Sequence, residues 1–281
     1  MVKPAVPVDL VRAWLAYNLG PVSGLHRLVE GEESQAFGVR CADGERVVRI
    51  NGDRAGFAKD AFAHRFDGPA LPVPRVVTIG ELSTGHAVCV STRLPGRSLQ
   101  DLERAELSGV APLVEATMSA IADLSGTRGF GRFDADGVGE HRSWRDFLAS
   151  TPPPDSDLGR RLHAELLRLV PSCPEVRQLV HGDFGSNNVL TDGTRITGVL
   201  DWDCAMFGDP LYDVANILFW ATWLDCMDVQ AAHLRPEATD ALRCYLIHIA
   251  LGELREHSPD ERFTAWLHPR AARLLTSEWA T

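Results

Sequence analysis

The chain has 281 residues, 45% hydrophobic and 23% charged, and its 38 acidic against 28 basic side chains leave a net charge of −10. That length can bury one large core or two modest ones, and the acidic balance speaks against a nucleic-acid binder, which needs lysine and arginine to meet phosphate. No apolar run reaches the roughly 18 residues of a membrane span, Pro4, Pro7 and Asp9 interrupt any signal-like stretch, and the six scattered cysteines form no zinc or disulfide pattern, so a cytoplasmic protein with reduced thiols is expected.

Asp9 should cap a helix that carries Val11, Trp14, Leu15 and Leu19 on one face and stops at Gly20 and Pro21. Apolar stretches at 25–29, 36–40 and 46–50 read as strands, the last two joined through Ala42, Asp43 and Gly44 as a hairpin. A helix near 54–66 follows, then a strand after the prolines of LPVPRVVTIG and another in HAVCVSTRL, which ends at Pro95 and Gly96. Beyond residue 97 the periodicity turns helical. Leu107, Val114, Met118, Ile121 and Leu124 suggest a long buried helix, and 157–170, 210–231, 237–255 and 269–279 are further helical candidates. TPPPDSD, 151–157, reads as an exposed connector, because consecutive prolines exclude helix. The expected fold class is α+β: a small strand-rich N-lobe over 1–94 and a larger, mostly helical C-lobe over 95–281.

Chemistry concentrates in HGDFGSNNVL, residues 181–190. His181, Asp183 and Asn188 have the spacing H-x-D-x-x-x-x-N of a kinase catalytic loop, in which the Asp accepts the proton of the substrate hydroxyl and the Asn binds Mg²⁺. After Asn188 comes VLTDGTRITGVLD, and Asp-Gly between apolar runs signals a hairpin that returns the chain towards Asn188 with Asp201 at its end. Mg²⁺ wants hard oxygen donors and usually takes one or two protein carboxylates, so Asn188 and Asp201 are the candidate ligands. Arg49, in ERVVRIN, stands where kinases carry the lysine that grips phosphate, and arginine can clamp phosphate oxygens bidentately. Asp60 in the next helix is its candidate partner. EGEESQAF, 30–37, lies between two strands where a phosphate-covering loop belongs; Ser34 and the backbone amides can serve there, with Glu32 and Glu33 turned to solvent. Gly182 replaces the arginine that many protein kinases use to hold a phosphorylated loop, and no D-F-G or A-P-E segment follows. A small alcohol is therefore a better acceptor than a protein.

HGDFGSNNVL, GVLDWD, GDPLYDVAN and LPGRSL resemble the aminoglycoside phosphotransferase family, whose fold is similar to that of protein kinases. Further segments, among them LVEGEESQAF, LPVPRVVTIG, RGFGRF and SWRDF, follow that family in the same order over most of 28–220. The resemblance implies a protein-kinase-like fold, ATP as phosphoryl donor, Asp183 as base, Asn188 and Asp201 on Mg²⁺, and Arg49 with the Ser34 loop on the triphosphate. It also implies adenine bonding to the backbone of Val90 and Thr92, and an architectural His181. Asp209 and Asp213 are expected to brace the larger lobe. For a cationic aminocyclitol acceptor, Asn187, Trp202, Asp203, Trp220, Trp223 and Asp225 cluster after the metal site, and each ammonium over a Trp face would gain about 0.5–2 kcal/mol. Core packing is the competing account of two of these tryptophans. A kinase of choline, a sugar or spectinomycin is the alternative activity, and a nucleotide-binding pseudokinase scaffold the alternative class. No nucleic acid or membrane partner is expected, and the protein should be a monomer.

Overall fold

A computed structural model describes residues 3–30, 34–126, 128–255 and 260–279. The chain opens with α1 (Val8–Leu19), whose Val11 and Leu15 are buried; Asp9 lies in its first turn rather than at its cap, which is Pro7. Strands β1 (Ser23–Arg27), β2 (Gln35–Cys41) and β3 (Gly44–Asn51) follow, then α2 (Ala55–Ala63), β4 (Val76–Glu81) and β5 (Ala87–Thr92). They form one antiparallel sheet in the order β1-β2-β3-β5-β4. The β2–β3 turn pairs Cys41 with Gly44 around Ala42 and Asp43. Phe37, Val48, Ile50, Val88 and Val90 on one sheet face close over Val11 and Leu15 of α1.

The rest of the chain is the larger lobe. It comprises β6 (Arg97–Ser98), α3 (Arg104–Ala122), β7 (Phe130–Phe133), β8 (Gly139–His141), α4 (Trp144–Ala149) and α5 (Asp157–Leu169). Then come β9 (Gln178–Val180), β10 (Val189–Thr191), β11 (Ile196–Val199), β12 (Met206–Gly208), α6 (Leu211–Trp220), α7 (Asp225–Leu234), α8 (Asp240–Arg255) and α9 (Glu261–Arg273). Two small sheets, β11-β10-β6 and β8-β7-β12-β9, carry the loops that matter chemically. The fold is protein-kinase-like, a strand-rich sheet over a helical body. Among the described residues no helix is long and apolar enough to cross a membrane.

Three further expectations need correcting. The helix expected over 210–231 is two, because Ala221 turns extended, with ψ 147°, and Thr222 has a positive φ of 69°. The last helix is not 269–279 but Glu261–Arg273, started by the Asp260 side chain on the Arg262 and Phe263 amides, with Pro269 inside it. The division at 94 is also not a division of cores. Ala63, Leu71 and Val73 pack with Phe133, Phe184 and Val199 of the larger lobe, and the Val199 amide donates to the Pro72 carbonyl at 2.8 Å.

Candidate active site

The turn after β9 is shaped from beneath by Asp213, in the first turn of α6. Its carboxylate accepts from the His181 amide at 2.9 Å and from the Gly182 amide at 2.8 Å. Gly182 has φ of 80°, and a Cβ there would stand 2.3 Å from the Cys204 carbonyl oxygen, so only glycine fits. His181 is fully buried. Its Nε2–H donates to the Leu200 carbonyl at 2.9 Å, and its Nδ1 accepts from the Asp183 amide at 3.3 Å. A carbonyl on one nitrogen and an N–H on the other require the neutral ring. Burial holds it there by lowering its pKa to about 4. His181 is thus a brace that ties the start of the catalytic loop to the residue before Asp201.

Asp183 is exposed, while Asn188 is buried beside it. The Asn188 Nδ2 donates to Asp183 Oδ2 at 2.8 Å and to the Asp183 carbonyl at 3.0 Å. Both bonds use the amide nitrogen and turn Oδ1 to the opposite side. The β10–β11 hairpin pairs Val189 with Val199, and Leu200 donates its amide to the Asn188 carbonyl at 2.8 Å. The following residue is Asp201, at φ of 60°, a left-handed conformation that Asp adopts more readily than most side chains. From the small lobe, Arg49 of β3 places Nη1 3.2 Å from Asp201 Oδ1. Its other terminal nitrogen bonds to Asp60 Oδ2 of α2. The second Asp60 oxygen accepts the Trp202 amide at 2.9 Å. Asp60 is therefore the partner expected for Arg49, and it joins β3, α2 and the segment behind Asp201.

The donor set suits Mg²⁺: the amide oxygen of Asn188 and the half-exposed carboxylate of Asp201 are hard oxygens on either side of one loop. Among the described residues no group of three or more His, Cys, Asp or Glu could hold a metal by itself.

Ser34 stands half-buried at the entrance of β2, and Gly31, Glu32 and Glu33 lie outside the described residues. At the hinge expected to meet adenine, Val90 lies inside the sheet and Thr92 at the end of β5. Val90 is paired to Val48 on one side and Thr78 on the other. The Thr92 amide donates to the Arg75 carbonyl at 2.9 Å, and the Thr92 hydroxyl accepts the Arg75 amide at 2.9 Å.

Of the acceptor candidates, Trp202 is misassigned. It is 1% exposed, sits against the His181 ring at 4.6 Å between centroids and donates its indole N–H to the Val199 carbonyl at 3.3 Å. Burial leaves no face for a substrate, and Trp202→Ala should lower stability by about 3–5 kcal/mol, read as a shift in denaturant midpoint. An unchanged midpoint would contradict this placement. Asp203 turns towards α2: a Cβ built on Gly56 would meet its carboxylate oxygen at 2.8 Å.

The remaining candidates stay at the surface. Asn187 is exposed beside Asn188, and Asp225 is exposed at the first position of α7. That helix is seated on the catalytic turn, for Met227 fills the space at Gly185. Trp220 and Trp223 are half-buried in an aromatic group completed by Phe263 and Trp266 of α9, with Trp220 stacked on Trp266 at 5.8 Å and 11°. Phe263 and Trp266 escaped the sequence reading because that helix was placed too late. Gln100, which accepts from the Ser186 hydroxyl at 3.1 Å, was also missed; nothing in SLQDL marks it.

One buried histidine, His181, and one half-buried histidine make the fold acid-sensitive. His248, between Thr151 and Tyr212 at 2.8 Å each, is lowered by burial to about 3. Both rings are folded in their neutral form. Their contribution is complete above the ordinary histidine value of 6.5 and is lost as pH falls towards 4 and 3. Burial raises Asp213 to about 6; its protonation runs the other way and offsets part of the loss. The net effect is a Tm that falls between pH 6.5 and 4, by about 2 °C for each kcal/mol in a chain of this length. His248→Gln, which keeps a donor and an acceptor, should flatten that profile. A Tm flat in both proteins would refute the account.

A two-lobed kinase-like fold with an Asp–Asn catalytic loop, a following Asp and a cation from the sheet defines a phosphotransferase. The chain belongs to the phosphotransferase enzyme family, whose model matches residues 25–256. It is 41% identical to hygromycin-B 4-O-kinase of Escherichia coli over 99% of this chain and 88% of that protein. A solved structure of a thermostable mutant of aminoglycoside phosphotransferase APH(4)-Ia, in a ternary complex with AMP-PNP and hygromycin B, superposes with a TM-score of 0.89 and 42% identity. The match covers 96% of this chain and 99% of that one. Viomycin phosphotransferase of Streptomyces vinaceus is 32% identical over 46% of this chain and 48% of that protein.

Proposed function

We propose that the protein transfers the γ-phosphoryl group of ATP to a hydroxyl of an aminoglycoside antibiotic, hygromycin B foremost, and so confers resistance to it. The observation that carries the chemistry is the exposed Asp183 carboxylate, held at 2.8 Å by the amide of Asn188, whose carbonyl in turn binds the residue before Asp201, itself paired with Arg49 at 3.2 Å. The acceptor is supported by the identity to hygromycin-B 4-O-kinase along nearly the whole chain.

In this reading Asp183 orients the acceptor hydroxyl and takes its proton as the new P–O bond forms and ADP leaves. Arg49, held by Asp60, faces the triphosphate and offsets its charge, with Ser34 nearby in the loop before β2. Mg²⁺, held by Asn188 and Asp201, would neutralise the phosphate oxygens during transfer. His181 and Asp213 keep Asp183 and the Asp201 segment in register. Asn187, Asp225 and the Trp220–Trp223 pair are offered as the acceptor side, where carboxylate and aromatic faces suit ammonium groups. A cytoplasmic monomer, lobed at residues 94 and 95, goes with this reading.

A coupled ADP-release assay with Mg·ATP over hygromycin B, other aminoglycosides, spectinomycin, choline and simple sugars tests it. Turnover with hygromycin B supports the assignment. Turnover with another member alone keeps the chemistry and replaces the acceptor, while silence across the panel with nucleotide bound makes the protein a pseudokinase scaffold.

A further inference from the structure

Asp201 sits in a stretch with little regular structure to hold it. Between the end of β11 at Val199 and the start of β12 at Met206 no residue belongs to a strand or helix, and Asp201 itself has the left-handed φ of 60°. Such a backbone persists only where its surroundings over-determine it. The Leu200 carbonyl is held by His181, and the Trp202 amide by Asp60. The Asp203 carbonyl is held by a third side chain, Lys59, whose Nζ donates to it at 2.6 Å.

Lys59 belongs to α2 of the small lobe yet ends inside the larger one. It is 8% exposed, and its ammonium lies over the Phe133 ring at 5.7 Å from the centroid. A lysine so enclosed costs solvation and side-chain entropy, so it needs a compensating contact. One turn earlier on α2, Gly56 leaves the space that the Asp203 side chain fills; a Cβ there would meet its carboxylate oxygen at 2.8 Å and its Cγ at 2.9 Å. Gly56, Lys59 and Asp60 therefore grip two consecutive residues, Trp202 and Asp203, directly behind Asp201. Asp60 also binds Arg49, so its loss would confuse phosphate grip with loop position. Lys59 instead meets the loop through the Asp203 carbonyl and lies over Phe133.

We propose that Lys59 is a positioning residue: with Gly56 it pins the Asp203 carbonyl to α2 and so holds the Asp201 carboxylate where it can bind Mg²⁺. The inference rests on the kinase reading above and deepens it. It makes metal affinity depend on the docking of α2 against the larger lobe, since the same helix holds the cation and the loop of the metal ligand.

The test is calorimetric binding of AMP-PNP, with and without Mg²⁺, to the wild-type chain, Lys59→Met, Lys59→Arg and Gly56→Ala, beside their melting curves. Manganese binding to each enzyme–nucleotide complex, followed by electron paramagnetic resonance, gives a second readout. Lys59→Met should raise the metal concentration for half-saturation about tenfold, the scale of one charge-assisted hydrogen bond, and leave metal-free AMP-PNP affinity unchanged. Lys59→Arg should restore most of it. Gly56→Ala should reproduce the defect with the lysine intact, which keeps the test open if the methionine variant folds poorly. Variants that melt lower but bind metal and nucleotide as the wild type does would reduce Lys59 to a packing residue and overturn the proposal. A wild-type chain with no Mg²⁺-dependent nucleotide binding would instead remove the kinase reading, and this inference with it.

Discussion

Asp183→Ala is expected to lose turnover by roughly 10²–10⁴-fold, the range in which a positioned base contributes, while Mg·AMP-PNP affinity stays near that of the wild type. The separation follows from which atoms the residue commits. Its backbone carbonyl also accepts from the Asn188 Nδ2, at 3.0 Å, so the alanine variant keeps one of the two bonds that aim the Asn188 oxygen. Its amide keeps the His181 bond. Arg49, Asp60 and Asp201 are linked to one another by ion pairs. Asp183→Asn is the stricter version, since it preserves size and can still meet the Asn188 side chain but cannot take a proton. ADP release measured with saturating hygromycin B, beside calorimetric nucleotide binding, reads both quantities. Turnover within tenfold of the wild type in either variant would dismiss Asp183 as the base.

Asp201→Ala should act on the other half of the reaction. It removes one of two candidate oxygen ligands, so Mg²⁺-dependent nucleotide affinity should fall by more than the roughly 10–100-fold that follows loss of a group merely supporting a ligand. A second consequence follows from the pair at 3.2 Å between Arg49 and Asp201. Without that carboxylate the guanidinium keeps only Asp60 and carries more uncompensated charge towards phosphate, so metal-free nucleotide should bind as well as before or better. Titrating AMP-PNP with and without Mg²⁺ therefore distinguishes a metal ligand from a structural aspartate. Equal loss under both conditions would mean that the substitution has collapsed the loop, and unchanged Mg·AMP-PNP affinity would end the metal assignment.

The hairpin 189–199 was legible because Thr-Asp-Gly-Thr between apolar runs prescribes a turn locally. The strands of the small lobe were legible for the same reason, as alternation and turn residues act over a few positions. Asp183, Asn188 and Asp201 could be singled out as candidates because the pattern is one of spacing along one loop and one hairpin. The Arg49–Asp60 pair, eleven residues apart, was reachable because a strand and the next helix leave few places for a cation's partner.

Trp202 shows where that reading stops. Its neighbours in sequence, Asp201 and Asp203, are polar and partly accessible, so composition suggests an accessible ring, yet it is buried against His181. Helix 210–231 failed because apolar periodicity runs through Ala221 and Thr222 without revealing that the backbone reverses there. Phe263 and Trp266 join Trp220 and Trp223 only through the docking of α9, some forty residues on. Lys59 meets Asp203 across 144 residues. The sequence by itself determined the reaction type and the candidates for base and metal donors, because these are local patterns under steric and hydrogen-bond rules. Only the tertiary structure decided which aromatic rings remain accessible and what holds Asp201 in place, because burial and long-range contact depend on how helices pack, which no short window of residues contains.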